Sequence, residues 1–191
     1  MAKILKPLPP YPFKLEVGSG GMPHPGYVHL DYNATSPHVE IQCEMGAESI
    51  PLPDGSVSEI LSNHSIEHVM WPRVGNLLRD WNRILIPGGK LFLRTPDLEF
   101  ICRTYLEGKT TREAPQDESN MVSVFGDCGP AEWACIKLFA GQDYPGNVHY
   151  FCFDFQMLKR TLERYGFEKV VRVYDQPVFS PGEIQCYAYK K

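Results

Sequence analysis

The sequence contains no apolar run near the roughly 18 residues that a membrane span requires, so no membrane association is expected. It contains no cluster of lysine or arginine, and its formal net charge is −4. Nucleic-acid affinity comes mainly from neutralised phosphates, so no nucleic-acid partner is expected either. The proline-rich stretch Met1–Pro12 lacks the apolar core of a secretory signal, and the chain reads as cytoplasmic. No CxxC pair occurs among Cys43, Cys102, Cys128, Cys135, Cys152 and Cys186. A chain of 191 residues has no need of disulfide staples, so reduced, mostly buried thiols are expected. A zinc site from Cys128, Cys135, His149 and Cys152 matches no usual ligand spacing. There is no internal repeat and no low-complexity tract. What remains, 43% hydrophobic and 22% charged, is the balance of a globular protein, read as a single domain over residues 1–191.

Several short apolar runs end in turn formers. Lys14–Val17 reads as a strand entering Gly18-Ser19-Gly20-Gly21. Tyr27–Asp31 and Val39–Cys43 read as the second and third strands. Pro51, Pro53, Asp54 and Gly55 make a turn before a fourth, Val57–Leu61. Over Arg73–Leu85, Val74, Leu77, Leu78, Trp81, Ile84 and Leu85 fall at helical spacing, stopped by Pro87-Gly88-Gly89. Lys90–Thr95 is the next strand, and Asp97 can cap a helix over Leu98–Leu106. The stretch 107–150 reads as an irregular insertion. A helix over Phe155–Tyr165 and two closing strands, Lys169–Tyr174 and Ile184–Tyr189, complete an α/β doubly wound pattern.

The glycine turn after the first strand lets a ligand approach the backbone closely. Asp31, ending the second strand, is placed to accept both hydroxyls of a ribose. A dinucleotide site would need a third glycine opening a helix. Here that position is Pro23, within Met22-Pro23-His24-Pro25-Gly26, which cannot start one. A cofactor without phosphates survives this objection better than a nicotinamide.

Glu16-x-Gly18-x-Gly20 resembles motif I of class I methyltransferases, and Asp31 resembles their ribose-binding acid. Residues 50–57 (Ile-Pro-Leu-Pro-Asp-Gly-Ser-Val) resemble the LPFPDGSFD stretch of the methyltransferase type 11 group. Residues 63–69 (Asn-His-Ser-Ile-Glu-His-Val) resemble its xHxxEH segment, and residues 79–91 its xExxRVLKPGGxL element. The likeness runs over about residues 14–97 in the right order. Residues 141–149 resemble a further segment of a small subgroup thought to act on glycans or small metabolites.

The resemblance implies a Rossmann-like sheet of order 3-2-1-4-5-7-6 with the last strand antiparallel. It implies S-adenosylmethionine as cofactor and transfer of its methyl group to an oxygen or nitrogen of a small-molecule or glycan acceptor. It puts Glu16, Gly18, Ser19, Gly20, Gly21, Asp31, Tyr32, Asn63 and His64 at the cofactor. The family's acid after the third strand aligns with Gly46, so adenine recognition is expected from Ala47, Glu48 and Ser49. No metal ligand is assigned. Only ten residues separate Val17 from Val28, and seven separate Asp31 from Val39, so the early helices must be reduced or missing. The face they vacate is expected to be hidden by the N-terminus, by the 107–150 insertion or by a second subunit in a homo-oligomer.

His149, following the turn-rich 141–147, and His64, at a strand end, are the candidate catalytic residues, with the 107–150 insertion shaping the acceptor pocket. Against these stand plainer roles: His149 pinning its loop, and Glu67 and His68 bracing the next helix. Two other activities fit parts of the pattern. His64-x-x-Glu67-His68 formally matches the HxxEH zinc-hydrolase motif. A protein that binds S-adenosylmethionine without transferring its methyl group would carry the same glycine loop.

Overall fold

A computed structural model describes residues 1–109, 129–142, 144, 146–174 and 182–191. Cys128, and Asp143 and Pro145 within the 141–149 segment, lie outside them, as does the 110–128 part of the 107–150 insertion.

Eight strands form one sheet among the described residues: β1 (Lys3–Ile4), β2 (Phe13–Val17), β3 (Val28–Asp31), β4 (Ile41–Gln42), β5 (Val57–Asn63), β6 (Leu85–Pro96), β7 (Phe167–Arg172) and β8 (Glu183–Lys190). Their order is β1-β4-β3-β2-β5-β6-β8-β7. Strands β2 to β6 run parallel, and β8 is antiparallel to both of its neighbours. With β1 set aside, this is the expected order 3-2-1-4-5-7-6. The unexpected strand is β1, two residues long and antiparallel to β4; a pairing that short leaves no periodicity to read.

Helix α1 (Val74–Ile84) buries Val74, Leu77, Leu78, Trp81 and Ile84, the predicted stripe, against the sheet. Arg83, near its end, joins two of the sequence motifs. Its guanidinium donates to the carbonyls of Ile50 (2.9 Å) and Leu52 (2.7 Å), and pairs with Asp54 (2.9 Å) and Asp80. The 50–55 turn is thereby locked onto α1. Helix α2 (Leu98–Leu106) starts where Asp97 accepts from the Glu99 amide at 3.0 Å, as expected. A further helix, α3 (Pro130–Phe139), occupies the segment read as irregular. Its apolar residues are spread around its circumference, so no helical stripe showed. Trp133 and Ala134 pack with Ile101 of α2 in a small second core. Helix α4 (Phe155–Arg164) is capped by Asp154 and buries Leu158 and Leu162.

The early helices are absent, as expected, and the N-terminus, one of the covers expected, supplies part of what hides the sheet. Ala2 and Leu8 of the N-terminus pack on the core. The loop that replaces the first helix folds back so that the His24 amide and ring reach Glu16 (2.8 and 2.6 Å), while the His24 carbonyl accepts from His29 at 3.0 Å. Farther along, the uncovered face is polar rather than apolar. Lys14, Glu59 and Lys90 form a ladder of charges across β2, β5 and β6, and the Tyr27 hydroxyl donates to Glu59. Lys90 also lies over the Tyr187 ring, 4.9 Å from its centre.

Among the described cysteines, Cys43 and Cys186 are buried, but Cys102 and Cys135 are exposed, correcting the expectation of mostly buried thiols. All five are free. No helix among the described residues is long and apolar enough to cross a membrane.

Candidate functional site

The parallel strands end their C-terminal edges around one cleft. At its floor Gly18 has φ +68°, and a Cβ there would stand 2.5 Å from the Cβ of Ser65. Only glycine fits, because the turn after β2 touches the turn after β5. The amides of Gly18 and Ser19 donate to the Leu30 carbonyl at 2.8 and 3.2 Å. Asp31 is 7% exposed and accepts from the amides of Gly20 (3.0 Å) and Asn33 (2.9 Å), one on each oxygen. Each carboxylate oxygen keeps a further lone pair for a ligand hydroxyl.

Two adjoining cavities, of about 350 and 220 Å³, share Gly18, Asp31, Tyr32, Met45, Ser65, His68 and Gly146. The first also takes in Gly20, Gly21 and His64; the second runs past Cys43, Glu44, Val69, Met70 and Tyr150. An acid that also braces the glycine turn, a glycine that admits no side chain and an apolar end suit a ribose, an extended amino-acid tail and a flat base. S-adenosylmethionine fits these donors and walls.

Of the residues expected at the cofactor, Gly18, Gly20, Gly21, Asp31, Tyr32 and His64 line this cleft. Glu16 and Ser19 do not. Glu16 clamps His24, and the buried Ser19 lies 3.2 Å from the His38 ring, so both build the loop from behind. Asn63 faces the open side of the sheet, in a groove with Arg94 and Tyr187, and its buried Oδ1 has no hydrogen-bond partner among the described residues.

Ala47, Glu48 and Ser49 also fall elsewhere, in a separate depression with Asn76, Arg79 and Asp80. Glu48 caps its own turn through the Glu44 amide, and Ser49 donates to Asp80. Gly46 (φ +75°) causes the displacement: its backbone turns the chain against the Arg73 carbonyl, carrying the following residues away from the cleft. The apolar end of the cleft is lined instead by Met45, Val69 and Met70.

A third cavity, of about 230 Å³, opens beside the cleft. His64, His68, His149, Lys137, Trp133 and Glu183 are among its walls. His64 and His68 line both spaces. His64 sits at φ +49°, a rare conformation for a side chain-bearing residue, with Nδ1 donating to Glu67 (3.0 Å) and Nε2 to Glu183 (2.9 Å). Burial opposes a charge on this ring, but the hydrogen bonds to Glu183 and Glu67 outweigh it and lift its pKa to about 9. Glu183 also pairs with Arg94. His149 differs: burial pushes its pKa down, and Nδ1 donates to the Lys137 carbonyl at 3.1 Å. His68 Nδ1 donates to the Val148 carbonyl at 3.1 Å, and the Tyr150 amide to the Glu67 carbonyl at 2.9 Å, tying the 148–150 strand of chain to the turn after β5.

The HxxEH hydrolase reading fails on this geometry. Residues 66–68 form a single 3-10 turn, and both nitrogens of His64 are engaged by carboxylates, so His64 and His68 are not a ligand pair. His68, read from the sequence as a brace, ties the turn after β5 to Val148 and also stands where the cavities meet. Its signal was present in the spacing of the motif, but only the fold shows which neighbour it faces.

Residues 27–93 match the model of a family described as "Methyltransferase domain". The uncharacterized protein YafE of Escherichia coli (strain K12) is 45% identical over 47 residues, 25% of this chain and 22% of YafE, so the match spans about a fifth of that protein's length. A methyltransferase from Mesorhizobium loti described as S-adenosylmethionine dependent superposes with TM-score 0.58 at 15% identity, covering 96% of this chain and 94% of that one. A SAM-dependent methyltransferase from Archaeoglobus fulgidus gives 0.55 at 14% identity, covering 93% and 85%. At such identities these superpositions establish the fold.

Proposed function

We propose that the protein is a class I S-adenosylmethionine-dependent methyltransferase that transfers a methyl group to an oxygen or nitrogen of a small-molecule or glycan acceptor; the family model matched over residues 27–93 and the superposed methyltransferase folds support this reading. When bound, the cofactor supplies a methyl group already activated by a cationic sulfur. What remains for the protein is alignment and exclusion of water. The observation that carries the reading is the meeting of two spaces at His64 and His68: the Gly18–Asp31 cleft on one side and the His149 chamber on the other.

In this reading Asp31 takes the ribose hydroxyls, and Gly18, Gly20 and Gly21 admit the amino-acid tail. Met45, Val69 and Met70 enclose the base. The chamber, at about 230 Å³, suits a small metabolite or one sugar unit. Trp133 offers a buried Nε1–H that has no partner among the described residues, a donor available to an acceptor's oxygen. His149, whose ring favours the neutral form and keeps Nε2 unprotonated, is the candidate base or orienting group. His64 is better suited to holding charge than to removing a proton, because both its nitrogens already donate.

Transfer from labelled S-adenosylmethionine across a panel of sugars, phenols, aliphatic alcohols and amines tests this. Turnover on at least one class is expected, falling about 100-fold or more in His149→Ala while cofactor affinity holds. Cofactor binding with no transfer to any of them would leave a binding protein and overturn the reading.

A further inference from the structure

Glu67, His68 and His149 come together from two loops that are distant in sequence. Each offers a ligand atom within 4.8 Å of the other two. Their surroundings are those of a metal site. Both rings use Nδ1–H on a backbone carbonyl, Val148 for His68 and Lys137 for His149, each at 3.1 Å. That bond fixes the tautomer and leaves Nε2 of each ring as an electron-pair donor, the arrangement in which histidine usually ligates a metal. Among the described residues neither Nε2 makes a hydrogen bond. Glu67, wholly buried, is itself held by second partners, with His64 on Oε1 and the Thr95 hydroxyl on Oε2 (3.0 Å). The rings stand edge to face, 4.8 Å between centres.

Three ligand atoms thus lie side by side, and among the described residues no hydrogen bond joins them to one another. We propose that Glu67, His68 and His149 bind one divalent transition-metal ion, with its open positions toward the chamber. Two imidazoles and one carboxylate suit zinc, manganese, iron(II) or cobalt(II) better than magnesium or calcium. Bonds of about 2.0–2.2 Å place neighbouring ligand atoms roughly 3–3.5 Å apart, inside the 4.8 Å within which the three atoms lie. The ion's Lewis acidity would lower the pKa of a hydroxyl placed in the chamber.

The proposal is independent of methyl transfer, and its test uses neither cofactor nor acceptor. The whole chain, stripped with chelator and dialysed, is titrated with cobalt(II) and followed by calorimetry and visible absorption. One ion per chain is expected, with the spectrum of nitrogen and oxygen ligands. Affinity should fall about 100-fold or more in both His68→Ala and His149→Ala, each checked for folding by circular dichroism. The absence of saturable binding to the wild-type chain overturns the site. So does binding that survives both substitutions, or a thiolate spectrum showing that cysteines took the ion.

Discussion

Asp31 concentrates two jobs in one side chain. It fixes the glycine turn through the Gly20 amide and faces the cleft with the same carboxylate. Hydrogen bonds to a charged group contribute about 1.5–3 kcal/mol. Asp31→Ala should therefore weaken S-adenosylmethionine or S-adenosylhomocysteine by about that much in calorimetry. Asp31→Asn, which keeps an acceptor but can lose only part of the interaction, should fall between. Unchanged affinity in the alanine variant would remove Asp31 from the ribose.

Elements depend on a few polar residues that serve more than one of them. Asp97 caps α2 through the Glu99 amide and also pairs with Arg172 of β7, at 2.5 Å. Asp97→Ala removes the cap and strands a mostly buried guanidinium, so a loss of roughly 3–5 kcal/mol is expected in denaturant unfolding. Asp97→Asn should keep the cap and lose less.

On the open face, Glu59 lies between Lys14, Lys90 and Tyr27. Burial raises its pKa, but the Tyr27 hydroxyl and Lys90 more than compensate, so it is held below the usual glutamate value. A carboxylate depressed in the folded state adds stability above its ordinary pKa, and that stability is lost as pH falls through the folded value. The stability gap between wild type and Glu59→Gln should thus be full near pH 7 and should close below about pH 4. A gap that does not change with pH would mean the ladder contributes packing and not charge.

At the scale of the molecule, the sheet has one helix-covered face and one polar face. Leu91 and Phe92 are neighbours on β6 that point to opposite sides. Leu91 is wholly buried in the main core, while Phe92 is partly exposed and rests on Tyr187, 5.1 Å between ring centres. Leu91→Ala should cost about 2–5 kcal/mol by leaving a cavity under the helices. Phe92→Ala should cost about 1 kcal/mol, mostly the aromatic pair. Similar losses at both positions, measured by urea unfolding, would mean that something covers the open face in solution, a second copy of the chain being the first candidate.

Much of this protein was legible from local pattern. The stripe of α1, the cap at Asp97, the glycine turn and Asp31 at a strand end each rest on contacts within a few residues or on an alternation that burial imposes. The strand order followed from the resemblance those motifs carry. Too few residues between the early strands dictated the missing helices by chain length alone. Tertiary structure decided the rest. Ala47–Ser49 leave the cleft because Gly46 turns the backbone against Arg73, a partner far along the chain. α3 escaped notice because its apolar residues serve two surfaces and show no stripe. The exposed sheet survives because charges on three strands align across it, a register no single strand reveals. His68 and His149 meet only because the 148–150 segment returns over the turn after β5. Sequence determines what each residue can do over short range; which residues it does it with depends on loop closure across the whole fold.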